Sequence, residues 1–239
     1  SVSVINSDSE VLSNSTFSQI HIHKEYGGVV PEIASKNHLE KILPVIDLAL
    51  KDAKKEINEI KYLFVTNGPG LINCLMIGVA TSKSIGLLKN IPVFPVNHLE
   101  GHIASCFIEN KINFPSICLV ASGGHTNLYL LKSHKEFILL STTRDDAAGE
   151  AFDKGAKILG LGYPGGVEID NLAKKGRKEF HSFPIASLDS DFDFSFSGLK
   201  TSLKHFIDKD LNWKEKIPDI ACCYQEAIVQ SLIEKTKKA

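Results

Sequence analysis

Alternating apolar and polar positions divide the chain into a series of strands and helices. Ser1 to Ile5 alternates small polar and β-branched residues, the pattern of a strand, and Asn6-Ser7-Asp8-Ser9 reads as the turn after it. Val11 to Ile22 predicts a returning strand. The pair Gly27-Gly28 breaks the chain, and Pro31 suits the first turn of a helix. Behind it Leu39, Ile42, Leu43, Ile46 and Leu50 recur at helical spacing. Tyr62–Thr66 reads as a buried strand, followed by Asn67-Gly68-Pro69-Gly70 and a helix from about Leu71 to Leu88. A second buried strand, Ile91–Val96, leads into another helix at His98. The pattern then restarts: Ile117–Ala121 and Asn127–Leu131 predict a hairpin, and Asp145–Lys154 predicts a helix. Ile220, Ala221, Tyr224, Ile228, Leu232 and Ile233 carry a helical pattern from Ile217 to Lys238. Strands that alternate with helices in this way predict an α/β protein.

Composition narrows this picture only a little. A chain of 239 residues is long enough for one large domain or two small ones. Its apolar fraction of 43% and charged fraction of 23% are ordinary for a globular protein. A net charge of −1 supplies no bulk attraction to nucleic acid or membrane. Cys74, Cys106, Cys118, Cys222 and Cys223 form no Cys-x-x-Cys pair and read as reduced core residues of a cytoplasmic protein. No signal-peptide pattern and no apolar run of membrane-spanning length is found, so no membrane partner is expected. The chain opens inside a strand pattern without a methionine and closes on a helical one, so both ends read as cut.

The chemistry concentrates at Asn97-His98-Leu99-Glu100-Gly101-His102. Two histidines four residues apart on a helix point the same way, with Cβ atoms about 5–6 Å apart. Such a pair can share a metal ion, or be two surface histidines. Glu100 stands two places after His98, about 200° round a helix, which is the wrong side for the general base of a His-Glu-x-x-His protease. Asn67-Gly68-Pro69-Gly70, between a strand and a helix, can offer N–H groups to an anion or form only a tight turn. Ser122-Gly123-Gly124 at the hairpin tip can accept a phosphate or be a plain turn; no Walker-type lysine follows it. Asp146 and Asp153, seven residues apart, fall on one helical face. Glycines at 160, 162, 165 and 166 around Pro164 predict a loop that lets backbone approach a flat ligand. The run Lys174, Lys175, Arg177 and Lys178 reads as a solvated face, and Ser197 as the cap of the helix that follows it.

Seven stretches occur together in a fixed order: His23-x-x-Tyr26 through Ser35, Asn67–Gly70, Asn97–His102, Ser122–Thr126, Asp145–Lys157, Leu161–Gly166 and Phe194–Thr201. In these the chain resembles, over essentially its whole length, the tRNA N6-adenosine threonylcarbamoyltransferase family, once labelled O-sialoglycoprotein endopeptidase. The details resemble its bacterial or organellar branch. The resemblance implies an actin-like (ribonuclease H-like) two-lobed ATPase fold, each lobe built on a mixed five-stranded sheet, incomplete here at both termini. The lobes would be residues 1–115 and 116–239, with the site in the cleft between them. The implied reaction moves the threonylcarbamoyl group of threonylcarbamoyl-AMP to N6 of the adenosine 3′ of the anticodon, in tRNAs reading codons that begin with A. His98 and His102 match the family's metal-binding histidines, the metal being one Fe2+ or Zn2+ per chain. Val120, Ala121, Ser122, Gly123 and Gly124 match the loop around the substrate phosphate, and Asp153, Gly166 and Asp170 match residues around the nucleotide. The implied partners are tRNA, an inactive paralogue subunit and a small P-loop ATPase. The family's first strand, with its phosphate turn, and its third metal ligand, an aspartate, have no match within residues 1–239. These residues alone are therefore expected to hold metal weakly and to be inactive. The rival readings are a catalytically silent scaffold paralogue, a sugar-kinase-like ATPase and a metallopeptidase. The first lacks the histidine pair, the second lacks the Asn97–His102 motif, and the position of Glu100 disfavours the third.

Overall fold

A computed structural model describes residues 1–239, the side chain of Glu109 excepted. The chain forms two compact units, Ser1–Lys111 and Ile112–Ala239, of mixed α and β structure.

The first unit opens with β1 (Val2–Ile5) and β2 (Val11–Ser15), paired antiparallel, and α1 (Ile20–Lys24). The strand predicted over Val11–Ile22 thus ends at Ser15, and Ile20–Ile22 turn into a helix. Tertiary burial decides this. His23, 3% exposed, accepts the Val30 N–H on Nδ1 at 3.3 Å and meets Gln19 Oε1 through Nε2 at 3.2 Å, which pins the turn holding Gly27 at φ +64°. Pro31 then occupies the first turn of α2 (Pro31–Asp52). The helix is as predicted, but its buried line is Ala34, Val45 and Ala49; Leu39 and Leu43 are 67% and 58% exposed.

β3 (Leu63–Gly68) and β4 (Val93–Asn97) pair in parallel, joined by α3 (Ile72–Lys89), and α4 (His98–Glu109) follows β4 at once. Gly86 brings α3 close to the start of β4, since a Cβ there would meet the Ile91 carbonyl at 2.8 Å. Phe94 stacks on Phe64 at 5.6 Å and lies 5.9 Å from Tyr62, and all three rings are exposed. The strand expected to be buried at Ile91–Val96 is therefore bare on one side. The two strand pairs of this unit are separate two-stranded sheets.

In the second unit β5 (Ser116–Ala121), β6 (Thr126–Ser133) and β7 (Glu136–Thr142) form an antiparallel sheet in that order. β7 was not anticipated, although Phe137-Ile138-Leu139-Leu140 after the turn at His134-Lys135 carries an apolar strand signal. Each unit therefore holds fewer paired strands, among the described residues, than the five of the implied sheet. Four helices follow: α5 (Ala148–Ile158), α6 (Gly165–Ala173), α7 (Ser197–Lys209) and α8 (Ile217–Lys238). Their shared core includes Leu128, Ala151, Ile169, Phe194, Phe196, Leu203, Ile220, Tyr224 and Ile228. The glycine loop is shorter than predicted, because Gly165 and Gly166 already belong to α6. Gly165 is required by packing: a Cβ there would lie 2.6 Å from the Cα of Asp153. Of the five cysteines, Cys222 and Cys223 are buried, Cys74 and Cys118 are half-buried and Cys106 is exposed, so Cys106 is not the core residue expected. Lys174, Arg177 and Lys178 of the basic run are ion-paired with Asp170, Asp219 and Glu226. No helix among the described residues is long and apolar enough to cross a membrane.

Tyr224 is the largest fully buried side chain, and its ring lies against Gly155 of α5. Its hydroxyl donates to the Ala151 carbonyl at 2.9 Å, and burial, with the nearby charge of Asp146, pushes the phenol well above its usual pKa. Tyr224→Phe removes this bond and keeps the ring. It should lower the urea-unfolding free energy by about 1 kcal/mol, and an unchanged midpoint would show that the hydroxyl adds nothing.

Candidate functional site

In the first unit the candidate residues stand at the start of α4. Asn97 closes β4 and caps the helix, its Oδ1 accepting the N–H groups of Leu99 at 2.9 Å and Glu100 at 3.2 Å. Leu99 and Ile103, four apart, are buried. His98 and His102 stand one position before each of them, and the phase of the helix leaves them half-buried and exposed. Their Nε2 atoms are 3.3 Å apart, with ring centroids at 4.5 Å and planes at 65°.

Two metal–nitrogen bonds of about 2.0–2.1 Å meeting at a near-tetrahedral angle span the same separation. The pair thus fits two ligands of one ion, and imidazole nitrogens suit zinc and iron. Among the described residues no cluster of three His, Cys, Asp or Glu is formed. A metal held by this pair would have two of the three protein ligands usual for a catalytic site.

In the second unit the tip between β5 and β6 is closed by the Ser122 N–H donating to the His125 carbonyl at 2.8 Å and the His125 N–H donating to Ser122 Oγ at 3.1 Å. Among the described residues the N–H groups of Gly123 and Gly124 have no acceptor in the protein. A Cβ at either glycine would meet nothing within 4 Å. Two free N–H donors above an open space can hold an anion. Val120, buried, and Ala121, exposed, close β5 opposite Asn127 and Thr126.

α5 starts against this tip, the Ala148 N–H donating to Thr126 Oγ1 at 2.8 Å and the Gly149 N–H to the Ser122 carbonyl at 3.1 Å. Asp146 precedes the helix, so it does not share a helical face with Asp153 as spacing predicts. Instead Asp146 pairs with Lys154 at 2.5 Å, and Glu150 reaches the same ammonium at 2.8 Å. These bonds, that to Asp146 first, raise the Lys154 pKa and keep it charged. Asp153 Oδ1 accepts the Gly165 N–H at 2.7 Å, which fixes the start of α6 to α5. Burial and the charge of Glu150 raise its pKa against the lowering effect of that bond. α6 carries Gly166 and Asp170 one turn apart. Asp170 is paired with Lys174 at 2.6 Å, which holds its carboxyl below the usual value, and also meets Gln225 at 3.4 Å. Asp153 and Gly166 thus lie along the α5–α6 contact, whereas Asp170 turns to Lys174 and to Gln225 of α8.

Ser197 is not the cap of α7. Asp145 is: its carboxylate accepts the N–H groups of Phe196 at 2.8 Å and Ser197 at 3.2 Å, and the hydroxyls of Ser195 at 2.5 Å and Ser197 at 2.7 Å. Ser197 donates where it was expected to accept. Sequence reasoning had no local signal for this cap, which lies 52 residues from Ser197. Lys154 was legible only as the i+4 neighbour of Glu150.

A family model described as tRNA N6-adenosine threonylcarbamoyltransferase matches residues 10–239. Proteins of that name are similar over nearly the whole chain. The one from Syntrophus aciditrophicus is 51% identical over 232 residues, covering 96% of this chain and 68% of its own length. That from Caldicellulosiruptor saccharolyticus is 46% identical over 239 residues, 98% of this chain and 70% of its own. That from Dictyoglomus turgidum is 47% identical over 239 residues, 98% and 71%.

Burial raises the Asp145 pKa, but the bonds from Ser195, Phe196 and Ser197 outweigh it and the carboxyl rests below its usual value. A group with a depressed folded pKa stabilises above its unfolded pKa, and that contribution is lost as pH falls through the folded value. Asp145→Asn should therefore cost about 0.5–1 kcal/mol at pH 7, since Asp145 is exposed and its charge is screened by solvent. Below about pH 4 the difference between mutant and parent should shrink. Thermal unfolding at pH 7 and pH 3 measures this, and a pH-independent difference would refute the charged cap.

Proposed function

The chain belongs to the tRNA N6-adenosine threonylcarbamoyltransferase family, and from that premise we propose that it transfers the threonylcarbamoyl group of threonylcarbamoyl-AMP to N6 of the adenosine 3′ of the anticodon. Its substrates are tRNAs that read codons beginning with A, and it acts in the cytoplasm. The match over residues 10–239 carries this reading. The mixed α/β make-up of both units is compatible with the actin-like, two-lobed ATPase fold, which we adopt as part of the proposal.

The mixed anhydride already carries the activation, so the protein has to position it and stabilise the leaving phosphate. The free N–H groups of Gly123 and Gly124 receive the phosphate, and Val120, Ala121 and Ser122 hold the shape of that turn. The start of α5 lies directly behind it and adds the positive end of a helix dipole. Lys154 offsets Asp146 and Glu150, so carboxylates near the turn repel the phosphate less. Asp153 spends one oxygen on Gly165 and keeps the other for a ribose hydroxyl, while Asp170, one turn along α6 from Gly166, is the second nucleotide-side carboxylate. His98 and His102 hold a divalent metal, iron or zinc. When bound, such an ion polarises a carbonyl as a Lewis acid. Glu100, about 200° round the helix from His98, has no place in this chemistry, which disfavours peptide hydrolysis.

For the partners we propose an inactive paralogue and a small P-loop ATPase, with the paralogue seated on α2 and α3. Ile72 and Met76 of α3 are 71% and 61% exposed and line, with Leu75, Val79 and Ala80, an open groove of about 440 Å³. Leu39 and Leu43 of α2 are also bare. Apolar residues in such number on adjoining helices mark an interaction surface.

Two substitutions, made in the complete protein, test the reading in a threonylcarbamoylation assay with tRNA. His102→Ala should lose bound metal, measured by elemental analysis, and at least about a hundredfold in transfer rate, with an unchanged melting curve. Full metal content and full rate would remove the histidines from the site. Gly124→Val should weaken AMP and threonylcarbamoyl-AMP binding about tenfold yet shift stability by less than about 0.5 kcal/mol, because the protein itself leaves that space open. Unchanged affinity would reduce the turn to a plain hairpin.

A further inference from the structure

We infer that Gly149 is a positioning residue for the Ser122-Gly123-Gly124 turn, and that buried Thr126 acts with it; the inference rests on the reading that this turn holds the substrate phosphate. The two glycine environments differ in kind. Side chains at 123 and 124 would enter open space, whereas a Cβ at 149 would lie 2.7 Å from the Gly123 Cα, 2.7 Å from the Ser122 carbonyl oxygen and 3.0 Å from the Gly123 nitrogen. All three are backbone atoms of the turn, so any side chain at 149 must move the turn, the helix or both.

Two hydrogen bonds hold the turn against the helix. The Gly149 N–H donates to the Ser122 carbonyl at 3.1 Å, and the Ala148 N–H donates to Thr126 Oγ1 at 2.8 Å. Thr126 has no exposed surface. Its carbonyl accepts the Thr143 N–H at 2.9 Å, and Thr143 Oγ1 in turn donates to the Asp146 carbonyl at 2.8 Å. The first two N–H groups of α5 are thereby spent on the hairpin. Within the turn itself, the donors left for an anion are those of Gly123 and Gly124, and their place is set by how close α5 can come. Gly149 fixes that distance, and Thr126 fixes where the helix begins.

The experiment uses the complete protein with its tRNA substrate. Gly149→Ala should raise the KM for threonylcarbamoyl-AMP and the Kd for AMP by about tenfold or more, the loss of about one hydrogen bond to a charged group, with kcat changed by less than about threefold. A folded Gly149→Ala protein with parental KM and AMP affinity overturns the inference. If that variant does not fold, Thr126→Val and Thr126→Ser decide. The valine should weaken AMP binding by a similar factor, and the serine, which keeps the hydroxyl, should recover most of it. Parental affinity in Thr126→Val, or no recovery with serine, overturns the inference. Gly124→Val separates the two layers. If it weakens AMP binding and Gly149→Ala does not, the positioning role alone falls. If Gly124→Val leaves AMP binding unchanged, the phosphate reading falls and takes this inference with it.

Discussion

The second unit depends on how closely other backbone can approach α5. Gly149, Ala151, Gly155 and Ala156 give that helix almost no side-chain bulk on its inner faces. Three different elements use the space: the hairpin turn at Gly149, the start of α6 through Gly165, and the Tyr224 ring at Gly155. Protein interiors are packed to crystal density, so such contacts leave little slack. The same closeness lets the Tyr224 hydroxyl reach the Ala151 carbonyl and lets Asp153 accept the Gly165 N–H. Packing and candidate chemistry are therefore two uses of one helix surface.

Charge in this unit is largely committed to structure. Asp145 caps α7, Asp193 holds Arg144, Asp219 holds Arg177, and Glu226 holds Lys178. The pairs lie at the surface, where each adds little stability. Their effect is organisational, because they tie the loop after β7 and the segment after α6 to helices far away in sequence. Residues that read as a solvated basic run thus become fasteners between elements.

What was legible in the sequence was whatever local spacing determines. The histidine pair follows from the four-residue repeat, and its helix starts at the exit of the preceding apolar strand, as read. The hairpin tip follows from two apolar runs around Ser-Gly-Gly. Misreadings arose where a distant residue decides the outcome. The strand after Val11 stops because His23 must be buried against Val30 and Gln19. Ser197 donates because Asp145 arrives from another part of the chain. Gly165 looks like loop flexibility, and only the Cα of Asp153 beside it shows that the requirement is room. Leu39 and Leu43 fit a helical period but not the buried face, since periodicity identifies an apolar stripe without naming what covers it.

The bond from Tyr224 to Ala151 spans 73 residues, and the cap from Asp145 to Ser197 spans 52. On a ribosome adding about 5–20 residues per second, the hairpin and α5 are made roughly 4–15 s before the tyrosine that packs against them. During that interval the small-residue faces of α5 lack their largest partner. The hairpin turn and the helix behind it are therefore assembled in two stages. Their local hydrogen bonds form early, and the packing of Tyr224 against α5 is added only when α8 has been synthesised and docked.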